Sequence, residues 1–374
     1  MAGPGGRTAR PLDSVVTMRV AVTGATGNIG TRLVGALLAD PSVSDVVAVS
    51  SRLPDGPPRD RVHSVKVDLG ADDAAARLGT ALVGVDAVVH LAWLLQPSRD
   101  PSLMERVNLG GTRAVLDAVA AAGVGVLVHA SSLGAYSPAP KTPAVTEDAP
   151  TGGVATSAYS VQKAHAERLL DDFAAGYPDV RVVRIRPALV LQREAGSEQA
   201  RYFLGRLVPH RMVDRRLLRA VGVLPLPDAF TTQVVHTEDI ADLFARAVLD
   251  PTARGAYNAA ADPVLDPPTI AAALGVRRVR VPLKPVRDLV DLTWRGHLQP
   301  TDPGWVDLAA QVPLMDSSRA RHELGWRPAH DARATLLEAI DGVTDGAGAG
   351  TPPLRERLSA PGLVKSLTDL VRRR

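Results

Sequence analysis

The sequence predicts an α/β fold, a doubly wound parallel sheet followed by a smaller, mixed C-terminal lobe. Three observations predict it. The apolar triplet Val20, Ala21, Val22 is too short for a helix and runs straight into glycines at Gly24, Gly27 and Gly30. Beyond them Ile29, Leu33, Leu37 and Leu38 recur at helical spacing. Short apolar runs then alternate with helical patterns as far as about residue 190, the rhythm of right-handed crossovers. Continuous apolar strands such as Val126, Leu127, Val128 fit a sheet buried on both faces.

The first element pairs a strand with a glycine turn spaced G-x-x-G-x-x-G. One glycine lets the backbone turn, one lets a pyrophosphate approach without a Cβ in the way, and one lets the helix pack on the strand. The phosphates would sit at the positive end of that helix, where N–H groups point outward. Gly24, Gly27, Asn28, Ile29 and Gly30 are therefore the first candidate dinucleotide ligands. The triplet alone is weak in a chain with 32 glycines. The strand before it and the periodic helix after it are the confirming context.

A second strand is expected at Val46–Val49, then a proline-rich surface loop from Leu53 to Arg59. A third strand reads as Val65–Leu69, and a helix over Ala71–Leu82 leads to a fourth at Ala87–Ala92. Met104–Ala122 is a long helical pattern stopped by Gly123, followed by a fifth strand at Val126–Ala130. A helix at Ser157–Phe173 and a sixth strand at Val180–Ile185 complete the series. Residues 194–230 are arginine-rich and broken by Pro209, Pro225 and Pro227, and their arginines read as a solvated helix face. Helices return at Glu238–Leu249, with Thr237 as the expected cap, and at Pro268–Leu274. The expected division is a disordered leader over 1–17, with Met18 a candidate start, then a dinucleotide-binding domain over 18–190. A lobe that is mainly substrate-binding follows over 191–341, with segments returning to the sheet, and then a flexible basic tail over 342–374.

Composition removes several function classes. No apolar run is long enough to cross a bilayer. Aromatic residues make up 3%, too few for stacked platforms on single-stranded nucleic acid. A net charge of +3, from 43 Lys and Arg against 40 Asp and Glu, predicts no polyanion partner. The chain has no cysteine, which excludes disulfides, thiol catalysis and cysteine-bound zinc. A cytoplasmic protein with a small-molecule substrate, no nucleic acid and no membrane span is expected.

Tyr159 and Lys163 are four apart on one helix, so both side chains share a face. A phenol titrates near pH 10, and a nearby ammonium stabilises its phenolate. The pair could then pass a hydroxyl proton while a hydride moves at the adjoining carbon. Ser132 follows the fifth strand, where strand ends face a ligand crevice, and could hold the substrate oxygen. His90 and His129 lie in apolar strands and read as packed structural residues. His236, beside Glu238 and Asp239, reads as a helix cap or anchor. No set of histidines and carboxylates has metal-ligand spacing in sequence, so no metal is expected.

These motifs resemble the extended short-chain dehydrogenase/reductases of the NAD-dependent epimerase/dehydratase superfamily. The resemblance runs from Arg19 to about Asp341 through TGATGNIG, VVHLAW, NLGGTRAVLDA, ASSLGAY, YSVQK, VVHTEDIA and DSSRARHELGWRP. It implies a Rossmann-like fold and assigns Ser132, Tyr159 and Lys163 as catalytic, with Tyr159 and Lys163 also at the nicotinamide end of the cofactor. It implies that Asp68 and Leu69 contact the adenine and that Leu91, Ala92 and Trp93 lie along the cofactor. Asn108 would also lie at the cofactor and support a proton relay. Relatives often dimerise through a pair of helices from each subunit, so the resemblance makes a homodimer a candidate assembly and leaves the oligomeric state open.

Departures from the pattern bear on the reaction. An NAD-preferring second strand ends in a carboxylate, but here it ends Val49, Ser50, Ser51, Arg52. Ser51 and Arg52 suit a 2′-phosphate instead, so NADP is expected ahead of NAD. UDP-sugar epimerases of this family carry an asparagine where Leu189 stands and an arginine where Thr232 stands. The leading expectation is an NAD(P)-dependent oxidoreductase or epimerase acting on a secondary alcohol or ketone. A nucleotide-sugar 4-epimerase or dehydratase is the alternative within the class. A non-catalytic NAD(P)-binding sensor or scaffold is the alternative outside it, opposed by the intact Ser132, Tyr159 and Lys163 set.

Overall fold

The computed structural model describes residues 17–55, 57–95, 99–205 and 210–356. The expected leader, apart from Thr17, and the basic stretch from Leu363 to Arg374 lie outside the described residues. In chain order the first half contains β1 (Met18–Thr23), α1 (Asn28–Ala39), β2 (Val43–Ser50), β3 (Val62–Lys66), α2 (Ala74–Ala81) and β4 (Ala87–His90). It continues with α3 (Pro101–Glu105), α4 (Gly111–Ala122), β5 (Val126–Ala130), α5 (Ala158–Gly176) and β6 (Arg181–Pro187). The second half adds β7 (Leu189–Leu191), β8 (Val223–Leu226), β9 (Val234–His236), β10 (Gly255–Ala259) and β11 (Arg277–Arg280).

Seven strands form one parallel sheet in the order β10-β6-β5-β4-β1-β2-β3. Strand order reverses between β1 and β4, which opens a crevice at their carboxyl ends. Both faces are covered, as the continuous apolar strands require. Val20 and Val22 pack with Leu33 and Leu37 of α1 on one side, while Ala21 packs with Leu116 and Val119 of α4 on the other. Each fully buried leucine contributes about 1.5–3 kcal/mol. β7 pairs with β9 and β8 with β11 in two small parallel sheets beside the main one.

Four expectations are corrected. The third strand is Val62–Lys66 rather than Val65–Leu69. As an edge strand it is half exposed, and the apolar Val67 and Leu69 that suggested a strand are instead buried just after it. The pattern over Met104–Ala122 is interrupted by a π-turn at Arg106–Gly110 that carries Asn108. Thr237 begins its helix, and the cap is His236, whose Nδ1 accepts the Glu238 N–H at 3.2 Å. The helix Ala332–Asp345 runs past the expected boundary at 341, and the segment beyond it is docked, with Leu354 fully buried. Gly and Ala composition suggested a linker there, but Ser197 binds that segment through Ala347 O and Gly346 O.

Three arginines expected on a solvated face are structural staples. Arg215 holds Asp341 through two 2.7 Å bonds, Arg219 donates to Leu274 O at 3.0 Å, and Arg201 donates to Arg355 O at 3.1 Å. Among the described residues no helix is long and apolar enough to cross a membrane.

Candidate active site

The glycine turn joins β1 to α1 at the crevice. Gly24 has φ +71, and a Cβ there would lie 2.8 Å from the Ala92 backbone nitrogen. A Cβ on Gly30 would run into Gly24 O and Ala25, because α1 packs tightly on the turn. Gly27 is different. Its Cβ would meet only Gly24 O, at 3.3 Å, so its bare surface faces the crevice. Gly27 also caps α1 without any side-chain hydrogen bond, and the first-turn N–H groups at Asn28, Ile29 and Gly30 have no intrahelical partner by construction. A phosphate fits this cradle. The Asn28 side chain turns away from it, accepting from Gln192 Nε2 at 2.6 Å and donating to Val190 O at 3.3 Å. Gly27→Ala is therefore expected to fold and to weaken NADPH binding about tenfold or more. Gly30→Ala is expected to fail to fold, and thermal melts with NADPH titration check both.

At the end of β2, Ser51 and Arg52 are exposed, and Ser50 Oγ donates to Arg52 O at 2.9 Å. Arg52 lies close enough to Glu198 to act on its charge. Asp68 is exposed and accepts the Gly70 N–H at 2.9 Å. Leu69 is buried where α4 approaches at Gly111. The C-terminal segment also reaches this end. Thr351 Oγ1 donates to Thr26 O of the glycine turn at 2.8 Å, and Arg355 pairs with Asp55.

Leu91, Ala92 and Trp93 follow β4 beside Gly24, with Leu91 N donating to Thr23 O at 3.1 Å. Asn108 holds the next residue by both ends of its amide. It accepts Leu94 N–H at 2.7 Å, donates to Leu94 O at 2.9 Å, and donates to Gln162 Oε1 at 2.8 Å. The expected place of Asn108 in a relay is not what these bonds describe. Its amide is fully engaged in fixing the segment behind Trp93 and tying it to α5.

Ser132, Tyr159 and Lys163 converge beyond the carboxyl end of β5. Ser132 Oγ accepts the Gly134 N–H at 2.9 Å and lies against the Tyr159 phenol. Lys163 is buried and donates to Ala130 O at 2.8 Å, with Nζ 3.5 Å from the centre of the Trp93 ring. Burial brings its pKa down to about 7, against the pull of Glu167. Burial raises Tyr159 to about 12, opposed by the nearby Ser132 hydroxyl. The expected lowering of the phenol by Lys163 is not found. Its ammonium is 6.0 Å from the tyrosine ring centre and is committed to Ala130 O and the indole.

His90 and His129 are buried in the sheet, and desolvation lowers the pKa of both, His90 to about 3. His90 Nδ1 meets Thr23 Oγ1 at 2.7 Å and Nε2 meets Thr112 Oγ1 at 3.2 Å. Sequence spacing showed no metal set, but the fold brings His236, Glu238 and His330 together, with ligand atoms within 4.8 Å of one another. His236 is already engaged at both nitrogens, by Glu238 N–H and by Glu338 at 3.5 Å. Its ring stacks on His330 at 3.9 Å, so the two rings lie face to face rather than converging on a common point.

Two features escaped the sequence reading. Trp305, from the helix Pro303–Gln311, stacks on Tyr159 with ring centres 5.0 Å apart. Beneath the site, Glu167 takes Arg186 through two bonds of 2.8 and 3.0 Å and accepts from Ser131 and Arg184. Nothing in local spacing joins residues so far apart. The apolar-period face of α5 that also carries charged residues was the one available signal.

A glycine turn at the switch point of a parallel sheet, with a serine, a tyrosine and a lysine beyond the carboxyl end of β5, defines a Rossmann-like α/β protein. Residues 20–260 match the family model for the NAD dependent epimerase/dehydratase family, and the chain belongs to that family. It is 30% identical over 331 residues to a 3-diazoavenalumate denitrifying reductase of Streptomyces, covering 84% of this chain and 97% of that protein. It is 28% identical over 355 residues to an uncharacterised protein of Mycobacterium tuberculosis, covering 94% of this chain and 33% of that one. The chain thus spans about a third of the length of that relative. Among solved structures, the NAD complex of Thermus thermophilus UDP-glucose 4-epimerase superposes with a TM-score of 0.62 at 22% identity. That match covers 87% of this chain and 99% of the epimerase, and it shows a shared fold.

Proposed function

We propose that the protein is an NAD(P)-dependent oxidoreductase that interconverts a ketone and a secondary alcohol. The observation that carries this reading is the meeting of Ser132, Tyr159 and Lys163 across the crevice from the glycine cradle. A bound nicotinamide cofactor supplies or accepts the hydride. Ser132 positions the substrate oxygen, and Tyr159, protonated at neutral pH, gives that oxygen its proton in the reducing direction. Lys163, held by Ala130 O, binds and orients at the ribose end. Among the described residues the buried indole Nε1 of Trp93 has no hydrogen-bond partner, which leaves it a donor suited to an acceptor on cofactor or substrate.

Release of the ketone or alcohol is favoured over retention for epimerisation. Leu189, half exposed, and Thr232, whose backbone is paired with Leu265, stand where sugar-nucleotide epimerases anchor a diphosphate. The Streptomyces relative matched over nearly its whole length is named as a reductase. The test is NADPH oxidation with simple ketones, and, in a separate incubation with UDP-glucose and NAD, chromatography of the products for UDP-galactose. Turnover of UDP-glucose with no ketone reduction would overturn the reading in favour of a sugar-nucleotide epimerase.

Arg52 supports NADP as the preferred cofactor, because its guanidinium at the end of β2 can pair bidentately with a 2′-phosphate. Replacing Arg52 by Asp is expected to weaken NADPH binding about tenfold or more and to leave NADH binding equal or tighter. Parallel titrations with the two cofactors read the result. An unchanged ratio would remove Arg52 from the assignment.

A further inference from the structure

The chain holds four tryptophans, five tyrosines and four phenylalanines, yet four of these rings form a single row through the site. Trp93 meets the edge of Tyr159 at 6.4 Å and 84°. Trp305 stacks on its face at 5.0 Å and 28°, and Phe203 meets Trp305 edge-on at 5.4 Å and 87°. We propose that Trp93, Trp305 and Phe203 form an aromatic wall that selects a substrate carrying a flat aromatic ring next to its carbonyl arm.

The wall is built into the second half of the fold rather than left there by chance packing. The helix bearing Trp305 is fixed at both ends. At its start Gly304 has no Cβ, which lets the backbone press against Thr156 and Ser157 at the cap of α5. At its end Lys141 Nζ donates to Ala309 O and Val312 O, each at 2.8 Å. On its flank Arg287 holds Asp307 through bonds of 2.7 and 2.9 Å. Phe203 is held in turn by Thr301 Oγ1, which donates to its carbonyl at 2.9 Å. It remains 38% exposed, so the row runs from solvent inward to Lys163.

A molecule whose carbonyl oxygen reaches the Tyr159 hydroxyl therefore lies within reach of both indoles. Indole faces and edges reward an aromatic ring beyond its buried area. They offer a sugar diphosphate no charge, and the two expected anchor positions are Leu189 and Thr232. The inference rests on the proposed oxidoreductase reading only in taking the Tyr159 hydroxyl as the reacting point.

The test uses the full chain loaded with NADP⁺, which cannot reduce a ketone, and a matched pair of ketones, 4-phenyl-2-butanone and 4-cyclohexyl-2-butanone, whose binding is measured by isothermal titration. The wild type is expected to bind the phenyl compound about fivefold or more tightly than the cyclohexyl compound. Trp305→Leu is expected to abolish that preference, and Trp305→Phe to retain most of it. Equal binding of the pair by the wild type, no binding of either, or a preference that survives Trp305→Leu would each overturn the aromatic wall. Turnover is scored separately. If both ketones are reduced but bound without preference, the wall fails and the oxidoreductase reading stands. A preference in binding without reduction of either ketone supports the wall and counts against that reading.

Discussion

Tyr159→Phe is expected to lower ketone reduction by about 10³-fold while NADPH affinity stays within about threefold. The reason is local. The phenol is enclosed by Trp93 and Trp305, and burial raises its pKa to about 12 even against the nearby Ser132 hydroxyl. It is therefore neutral through the physiological range and carries the one proton well placed for the substrate oxygen. Reduction, which needs the phenol, should not decline as pH rises through neutrality on account of this group. Alcohol oxidation needs the phenolate and should rise with pH over the same interval. Steady-state rates in both directions, with cofactor titration of the variant, test the assignment. Reduction by Tyr159→Phe at the wild-type rate would remove Tyr159 from the chemistry.

Much of the parallel sheet was legible because β1, β2, β4 and β5 each carry a run of buried apolar residues. The two edge strands were not: half-exposed residues hide the pattern of β3 while buried loop residues imitate it, and β10, Gly255–Ala259, has no apolar run and was not expected. The glycine turn was legible because Gly24 and Gly30 are demanded by backbone contacts that no other residue satisfies. Tyr159 and Lys163 were legible through their helical spacing, but the charge relation between them was not. That relation depends on where Lys163 Nζ points, and it points to Ala130 O and Trp93. The C-terminal segment was misleading for a similar reason. Gly346 to Pro353 has linker composition, yet it is held by Ser197 and Thr26, residues more than a hundred positions away. Trp305 and the stacked pair His236 and His330 are likewise products of long-range closure, invisible to any local period.

The second large effect is expected at Glu167, which lies one turn beyond Lys163 and is 1% exposed. Its carboxylate accepts from Arg186 twice, from Arg184 at 3.3 Å and from Ser131, while Arg186 also donates to the Tyr136 hydroxyl at 3.0 Å. Burial opposes the charge, but the bonds and the two guanidinium groups outweigh it and hold the carboxyl below its ordinary value. A glutamate whose folded-state pKa is depressed adds stability that is complete above the unfolded value. That stability is lost as pH falls through the lower folded-state value. Glu167→Gln keeps the shape, removes the charge and leaves Arg186 buried without its counter-ion. The expected cost is about 3–5 kcal/mol, because stranding one member of a buried pair costs more than the pair itself contributes. Thermal unfolding should show a midpoint lower by about 5 °C at pH 7, with a smaller gap from wild type in acid. The same substitution withdraws the negative neighbour that raises Lys163, so the lysine should titrate lower still. Cofactor binding near neutral pH should then weaken in the portion of the variant that remains folded. A variant as stable as wild type would show that Arg186 is satisfied by Tyr136 and Glu147 O alone.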